Sequence, residues 1–515
     1  MRDNLGYDGR GQSFQEGPEL WHNFAAFTWL VLGSAPKEDE DPGVNVHAKA
    51  GAKRLLRGNS RVMSEYDYAL VENTLAKPGQ NPIVACASLQ KTSGYYGKTH
   101  LQYGKLELIG TLPDFRGRSL VSRLIFEMLH PASEARGDLI QMIPGVPYFY
   151  RRFGYEYALK HQTENKCRDI SQLIPKLEEG AEEPVYLRIP TLDDVPYLME
   201  MSTPERRHIE EGTGTFYDQD YWQFTVHDMF ETAECEQDIG RVTGIIVDSE
   251  TNQDIGIVMA MLFGPAIHLK LFALERGRSY RDVLSPVLRQ LLELIEAPLP
   301  EELIKQFEEL QVAKDEGVLG MTEAEKSKTE KVTELIHCLP PGHPAFQLLA
   351  KSFQDGPENG RLFTRINSYP KFLLKVAPTL EDRLANSGLA GITATWHIDF
   401  YHKSVGCTGS GLEVVFEKGR IILARDWVPP TTEAKVHAAR ARIAQAKEEG
   451  RPDEKPLVFT ASFAPLTFTR LVVGDLSIDE MLHLYTDCVV DGVDAKLMLQ
   501  VLFPKQVSDF DIFWW

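Results

Sequence analysis

Residues 105–129 read KLELIGTLPDFRGRSLVSRLIFEML, and residues 139–159 read LIQMIPGVPYFYRRFGYEYAL. In the first stretch, Leu106 and Leu108 alternate with Glu107, which predicts a strand that ends near Thr111. Pro113 then ends the strand, and the Gly-bearing sequence of residues 116–119 predicts a tight turn. The remainder of the stretch predicts a helix, because its apolar residues recur at helical spacing. These are Leu120, Leu124, Ile125 and Met128.

A strand that passes through a short turn into a helix leaves the first helical N–H groups without partners inside the helix. These donors, the positive end of the helix dipole and the guanidinium groups of Arg116 and Arg118 together predict a site for a pyrophosphate. Ser119 is placed to cap the same helix. Because short Gly-bearing motifs recur in many α/β proteins, the turn alone does not identify a ligand.

The second stretch adds a hydrophobic strand over residues 139–143, then Gly145 and the aromatic and basic cluster of residues 148–155. Together the two stretches resemble motif A and the next strand of the Gcn5-related N-acetyltransferases. They are closest to the enhanced-intracellular-survival (Eis-like) pattern P-x-x-R-x-R-G-L-L followed by I-Y-G-R-F-G-Y. Here these motifs read PDFRGRSLV (113–121) and FYRRFGY (149–155). Ser119 replaces the usual glycine and Arg151 an often smaller residue, although a serine N–H still donates.

The resemblance implies acetyl-CoA as the co-substrate. The residues that it assigns to acetyl-CoA are Ile109, Gly110, Thr111, Arg116, Gly117, Arg118, Ser119, Leu120, Val121, Ser122, Gly145 and Val146. Strand N–H groups over residues 109–111 would hold the acetyl carbonyl as an oxyanion hole does. Tyr150 matches the tyrosine of the family that protonates or hydrogen-bonds the departing sulfur, whereas without the motif it reads as a packing residue.

A base must also accept a proton from the amine. The chain ends in Ile-Phe-Trp-Trp, an apolar sequence that predicts a docked tail, and in the resembled family the terminal carboxylate is the base. That carboxylate belongs to Trp515 here, and Glu107 on the predicted strand is the alternative base. Trp29 and Trp514 are candidates to line the substrate pocket.

Composition limits the classes of function. The net charge of −19 argues against nucleic acid as a partner and suits a cationic amine substrate. The six cysteines include no C-x-x-C pair, so we expect neither a metal site nor a disulfide framework, and a reducing, cytoplasmic compartment. The polar N-terminus does not resemble a signal peptide, and the apolar run of residues 24–33 is too short to span a membrane.

The chain divides into three predicted domains of an α/β (α+β) class. Residues 1–165 form the acetyltransferase domain, and residues 184–375 form a second domain of the same type. There, Arg276-Gly277-Arg278-Ser279 repeats the turn of residues 116–119 between a strand and a helix-like run. We expect this copy not to bind the cofactor, because Glu275 would repel a phosphate and Pro286 would interrupt the helix. Residues 376–515 resemble the sterol-carrier-like domain of the family, which delivers the C-terminus to the active site. An exposed helix is predicted over residues 432–450.

The predicted function is acetyl transfer to a primary amine, directly within a ternary complex. The amine belongs to an aminoglycoside-like molecule, a polyamine, an amino acid or a lysine side chain, and the resemblance implies a homo-oligomer. Two alternatives remain open. In the first alternative, the chain is a non-catalytic protein that binds or senses acyl-CoA. In the second, it is a scaffold or lipid carrier that acts through its third domain.

Overall fold

The computed structural model describes residues 68–78, 80–160, 165–167, 170, 174, 177, 180–234, 241–263, 266–296, 334–340, 342–349, 361–401, 410–449, 457–464 and 466–511. Its strands, in chain order, are β1 (Tyr68–Glu72), β2 (Ile83–Tyr96), β3 (Thr99–Thr111), β4 (Ile140–Ile143), β5 (Glu156–Lys160), β6 (Asn165–Cys167), β7 (Val185–Arg188), β8 (Gly212–Thr215), β9 (Arg241–Asp248), β10 (Asp254–Phe263), β11 (Ala266–Leu274), β12 (Glu334–His337), β13 (Arg361–Ile366), β14 (Ala394–Asp399), β15 (Gly411–Glu417), β16 (Arg420–Asp426), β17 (Val458–Ser462), β18 (Val489–Val490) and β19 (Val507–Asp509).

The helices are distributed among these strands along the whole described chain. They are α1 (Leu120–Arg123), α2 (His130–Arg136), α3 (Val195–Met201), α4 (Gln219–Glu234), α5 (Tyr280–Glu296), α6 (Pro344–Leu349), α7 (Tyr369–Ala385), α8 (Thr432–Glu448), α9 (Thr467–Val472), α10 (Ile478–Leu484) and α11 (Val493–Leu502). Helices α1 and α2 are joined by π-helical turns over Leu124–Leu129, so residues 120–136 form one continuous helical segment. The π-helical turns end two residues before Pro131, which has no N–H to donate.

The first sheet has eight strands in the order β19-β8-β2-β3-β4-β13-β5, with β1 paired along the first half of β2. β3 and β4 are parallel, whereas β2 and β3 form a long antiparallel hairpin. One face of this sheet packs against the helical segment of residues 120–136, and the other face packs against α7. The predicted strand-turn-helix therefore lies against a buried, two-sided sheet.

Two strands are exchanged between the first and second sheets. β6 follows β5 in the chain but pairs with β12 in the second sheet, whose order is β6-β12-β11-β10-β9-β7. In return, β13 follows the second sheet in the chain but lies between β4 and β5 of the first sheet, antiparallel to both. The domain boundaries at residues 165, 184 and 375 stay predictions. The first sheet contains strands from both sides of these boundaries, so the sheets do not divide the chain at the same residues.

The third sheet has five strands in the order β16-β15-β14-β17-β18. Helix α7 connects it to the first sheet, since residues of α7 share one buried apolar cluster with both. The exposed helix predicted over residues 432–450 is confirmed as α8, in which most of the described side chains are exposed. The mixed α/β class is likewise confirmed.

The expectation that Pro286 interrupts its helix is wrong. Helix α5 continues through Pro286 from Tyr280 to Glu296. A proline inside a helix removes one backbone hydrogen bond. Burial of apolar side chains against β11 offsets this loss, because Val283, Val287 and Leu291 are all buried in the core of the second sheet.

A buried polar network fixes the exchanged strand β13 in the first sheet. Asn367, directly after β13, donates from Nδ2 to the Asp138 carbonyl oxygen at 2.7 Å and to Ser133 Oγ at 3.1 Å. Its Oδ1 accepts from Gln141 Nε2 at 2.9 Å and from Arg365 Nη1. Asn367 thus connects β13 to both β4 and the end of α2.

Replacing Asn367 with alanine is expected to lower the free energy of unfolding by about 3 kcal/mol, because buried groups on Gln141, Arg365 and Ser133 lose a partner. Urea denaturation measures this change. Asn386→Ala, which removes an exposed side-chain hydrogen bond to the Asp382 carbonyl, is the matched control and should change stability by about 0.5 kcal/mol or less. Equal stability of the two variants would contradict a structural role for the network.

Candidate active site

A bulge in β3 lies at the centre of the candidate site. Ser88 pairs with Glu107 while Cys86 pairs with Gly110, so β3 contains one residue more than β2 at this point. Leu108 has a left-handed backbone (φ 52°), and its carbonyl accepts a hydrogen bond from Cys86 Sγ at 2.8 Å. Bulges of this kind redirect side chains and end strand pairing beside active sites.

Beyond the bulge, one edge of β3 has no strand partner among the described residues. β3 and β4 pair only from Tyr103 with Ile140 to Lys105 with Met142. From Glu107 to Thr111, β3 is paired on the β2 side alone. Unpaired strand edges present N–H and C=O groups that an extended, amide-bearing ligand can bind. The structure thus places the predicted residues 109–111 on an open edge.

The open edge leads into the arginine turn. A 3₁₀ turn over Pro113–Phe115 ends β3, and Gly117 follows with a φ of 76°. A Cβ atom at Gly117 would have no heavy atom within 4 Å, so glycine is required there by the backbone angle rather than by space. Arg116 and Arg118 are exposed, and each donates one hydrogen bond to a backbone carbonyl at 3.3 Å. The Arg118 guanidinium also lies over the Phe115 ring, 4.8 Å from its centroid. Most of their donors therefore remain available to an anion.

Ser119 precedes the helix as predicted, but its side chain does not cap it. The φ of Ser119 is 58°, in the left-handed region, and its hydroxyl accepts no hydrogen bond from the first helical turn. This conformation suits the glycine that the resembled pattern has here. Leu120, Val121 and Ser122 begin the helix at its half-buried first turn.

Tyr150 lies buried below the exposed backbone of Gly145. A Cβ atom on Gly145 would come within 2.2 Å of Tyr150 Cε2, so only glycine allows this approach. The ring is packed edge-on against Phe149 and against Phe363 of the exchanged strand β13, at 5.0 and 5.5 Å between ring centroids. Burial, together with the charge of Glu107, raises the pKa of Tyr150 to about 12. Tyr150 is therefore a protonated hydrogen-bond donor at neutral pH.

Glu107 is near Tyr150, as its effect on the pKa of the phenol indicates. Its carboxylate forms an ion pair with Lys105 at 2.8 Å, and the Lys105 side chain is only 1% exposed. As the alternative base, Glu107 would accept a proton while bound to this buried ammonium group. The structure thus brings Glu107, Tyr150 and the open edge of β3 together, whereas Val146 lies exposed at the rim.

The chain returns to the first sheet at its end. β19 pairs in parallel with β8, and Asp509 forms a buried ion pair with Arg207. A Cβ atom on Gly214 would lie 2.3 Å from the Asp509 carbonyl oxygen, so the small residues of β8 permit this pairing. Arg207 and Asp509 were not predicted from the sequence, because a lone arginine and a lone aspartate about 300 residues apart carry no local signal.

Beyond β19, the chain runs towards the bulge in β3. The Phe510 ring is completely buried and lies 5.1 Å from the Tyr103 ring. The Asp511 N–H donates to Thr215 Oγ1 at 3.0 Å. Three predicted site residues, Trp29, Trp514 and Trp515, lie outside the described residues, so their positions remain predictions.

Within the described residues, no three His, Cys, Asp or Glu side chains come together in an arrangement that could hold a metal ion. In the same part of the chain, no helix combines the length and the apolar character needed to cross a membrane.

Residues 49–158 match the family model of the acetyltransferase (GNAT) domain, and residues 49–67 of this match precede the described residues. The chain is also similar to solved structures over most of its length. A probable N-acyltransferase of unknown function from Enterococcus faecalis V583 is 12% identical, with 96% of each chain covered and a TM-score of 0.56. A GCN5-related N-acetyltransferase from Kribbella flavida is 10% identical, with 96% of this chain and 97% of that chain covered and a TM-score of 0.56.

Eis1 from Mycobacterium abscessus is 11% identical, with 94% of this chain and 95% of that chain covered and a TM-score of 0.49. At such identities a likeness indicates the fold alone, so the Eis-like subgroup and the sterol-carrier-like third domain stay predictions. No curated protein matches the sequence at a significant level.

Proposed function

We propose that this chain, which carries a GNAT acetyltransferase domain and is an N-acyltransferase, transfers an acetyl group from acetyl-CoA to a primary amine. The observation that supports this most strongly is one arrangement on the first sheet. An open strand edge leads into an arginine turn, and a buried, protonated tyrosine lies beside that edge. The acceptor is the amine of a small molecule or of a lysine side chain.

The residues present fit acetyl-CoA in two respects. The open edge of β3 offers backbone groups to the amides of an extended arm. In this proposal, N–H groups of residues 109–111 stabilise charge on the acetyl oxygen. Arg116, Arg118 and the first turn of the helical segment offer donors to a pyrophosphate. Bound there, acetyl-CoA supplies an activated acetyl group as a thioester.

Tyr150 serves as the general acid in this proposal. Its phenol keeps its proton at neutral pH because its pKa is raised, and within the described residues no hydrogen bond engages its hydroxyl. A departing thiolate needs such a donor. The proton moves from Tyr150 to the sulfur as the bond between the acetyl carbon and the sulfur breaks, and the amine forms the new bond to that carbon.

Direct transfer is favoured over an acyl-enzyme. Among the described cysteines, Cys86 lies at the bulge, but it is completely buried and its thiol donates to the Leu108 carbonyl. Burial raises the pKa of Cys86 far above its usual range, so little thiolate is present to act as a nucleophile. The amine therefore attacks the acetyl carbon without a covalent enzyme intermediate.

The base in this proposal is the carboxylate of Trp515, with Glu107 as the alternative. The direction of the described chain from β19 to Asp511 supports Trp515. Phe510 lies beside Tyr103, and Glu107 is four residues further along β3, or about 13 Å at 3.3 Å per residue. The five residues after Phe510 span up to about 17 Å when extended. The tail is therefore long enough to bring its carboxylate to the bulge.

Acetyl-CoA is expected to bind one site per chain, at the turn of Arg116 and Arg118. Isothermal titration should give a stoichiometry of one, and Arg118→Gln should weaken binding about tenfold, because a charged donor to phosphate is lost. Arg276→Gln, at the repeated turn of the second domain, is the matched control and should leave affinity unchanged. Two equivalent sites per chain, or equal effects of the two substitutions, would refute this assignment.

A further inference from the structure

The second domain contains a cavity of about 860 Å³ at the repeated turn. This volume is within the range of small-molecule sites. The turn of Arg276, Gly277 and Arg278 lines the cavity, together with Tyr280 and Arg281 at the start of α5. Side chains that follow α3, among them Glu205 and Arg206, also line it. The cavity is separate from the site on β3.

The charged groups of the cavity differ in whether they have partners. Arg206 is paired with Glu200 at 2.9 Å, and Arg278 is paired with Asp248 at 2.8 Å. Within the described residues, no ion pair or side-chain hydrogen bond engages Arg276, Arg281, Glu205 or Glu275, all of which line the same cavity. Two cations and two anions are thus left for a ligand.

The cationic side of the cavity has the geometry of a phosphate site. Gly277 has a φ of 88°, close to the 76° of Gly117 in the first turn. Helix α5 is 17 residues long, so the positive end of its dipole adds to Arg276 and Arg281 beside it. An anion bound here would meet a helix terminus and two guanidinium groups for which the described part of the chain provides no ion-pair partner.

A thioester arm does not fit beside this turn as it does on β3. The pairing of β11 with β12 ends at Leu269, and the pairing of β3 with β4 ends at Lys105. Phe272 lies three residues after Leu269, so its position on β11 corresponds to that of Leu108 on β3. The Phe272 carbonyl is bound by His343 Nε2 at 2.6 Å, and His343 is completely buried. His343 therefore occupies the edge of β11 that corresponds to the open edge of β3. For this reason the cavity suits a ligand shorter than acetyl-CoA.

We propose that this cavity binds a small phosphate monoester that carries a protonated amine. Its phosphate binds Arg276, Arg281 and the start of α5, and its ammonium group binds Glu205 and Glu275. A ligand with both charges matches the two arginines and the two glutamates, whereas an anion alone would leave two carboxylates facing it.

Two ligands that differ only in the amine test this proposal by calorimetric titration of the full chain. Phosphoethanolamine carries both charges, and ethyl phosphate carries the phosphate alone. Desulfo-CoA, added in excess, keeps the first turn filled throughout. Phosphoethanolamine is expected to bind about tenfold more tightly than ethyl phosphate, because one charge-assisted contact contributes about that factor.

Two double variants separate the contributions of the charges. Arg276→Gln with Arg281→Gln should weaken both ligands by about tenfold or more, while Glu205→Gln with Glu275→Gln should make the two ligands bind alike. Arg118→Gln, in the first turn, should change neither affinity. Unchanged thermal midpoints would show that each variant is folded. The proposal is overturned if the wild-type chain does not prefer phosphoethanolamine, or if the arginine variant binds it as the wild type does.

Discussion

Replacing Tyr150 with phenylalanine is expected to lower the turnover number by about 10²–10⁴, the usual contribution of a general acid. The ring is buried among aromatic side chains, and within the described residues its hydroxyl has no hydrogen-bond partner that the change would leave unsatisfied. Stability and the affinity for acetyl-CoA should therefore change little. Single-turnover kinetics, in which chemistry limits the rate, provide the measurement.

Tyr148→Phe is the matched control for this variant. It removes the same atom from a side chain that is 71% exposed and two residues away, so its rate should equal that of the wild type. The pH profile gives a second check. Because the pKa of Tyr150 is raised to about 12, its deprotonation should cause no loss of rate below pH 11. Unchanged single-turnover rates in Tyr150→Phe would reduce Tyr150 to a packing residue.

Amidating the C-terminal carboxylate is expected to lower turnover by about 10²–10⁴ while acetyl-CoA still binds, because the Trp515 carboxylate can then no longer accept the proton of the amine. The amide can be introduced without substituting any residue. Cys488 is a native ligation point, so a synthetic peptide of residues 488–515 can carry either a carboxylate or an amide. The ligated enzyme with a free carboxylate is the control for the ligation itself.

Amidation alters little besides the charge, whereas extension past Trp515 also adds bulk and is a weaker test. Full activity of the amidated enzyme would eliminate the terminal carboxylate as the base. Glu107→Gln separates the alternatives: under the Trp515 assignment this variant keeps most of its activity, whereas under the alternative it loses turnover by the factor expected for amidation.

Local sequence patterns predicted the elements that form the candidate site. The alternation around Glu107, the Gly-bearing turn and the apolar helix spacing predicted β3, the turn and the helical segment in their order. The same reasoning located the repeated turn between β11 and α5. These features depend on residues close together in the chain, and for that reason the sequence alone predicts them.

The pairing of strands was not predicted from the sequence, because a local pattern predicts a strand but not which strand lies beside it. β13 lies in the first sheet although about 200 residues separate it from β5, and β8 and β19 join the same sheet from later parts of the chain. Pro286 was misjudged for a related reason: the packing of α5 against the second sheet outweighs the local preference of proline.

The exchange of strands between the sheets joins three parts of the chain in the first sheet. The first sheet takes strands from all three predicted domains, and the ring of Phe363 on β13 packs directly against Tyr150. Arg207 holds β19 through its buried ion pair with Asp509. Strands from later parts of the chain therefore complete the sheet that carries the candidate active site.

Release of free thiol from acetyl-CoA, followed across a panel of amines, tests acetyl transfer most directly. The panel contains an aminoglycoside, a polyamine, a free amino acid and a lysine-containing peptide, and each is compared with the rate without an amine. The predicted result is amine-dependent thiol release by the wild-type chain, matched mole for mole by acetylated amine and lost by about 10²–10⁴ in Tyr150→Phe. Thiol release that no amine accelerates, with acetyl-CoA bound in the first domain, would contradict transfer and identify a protein that only binds the thioester.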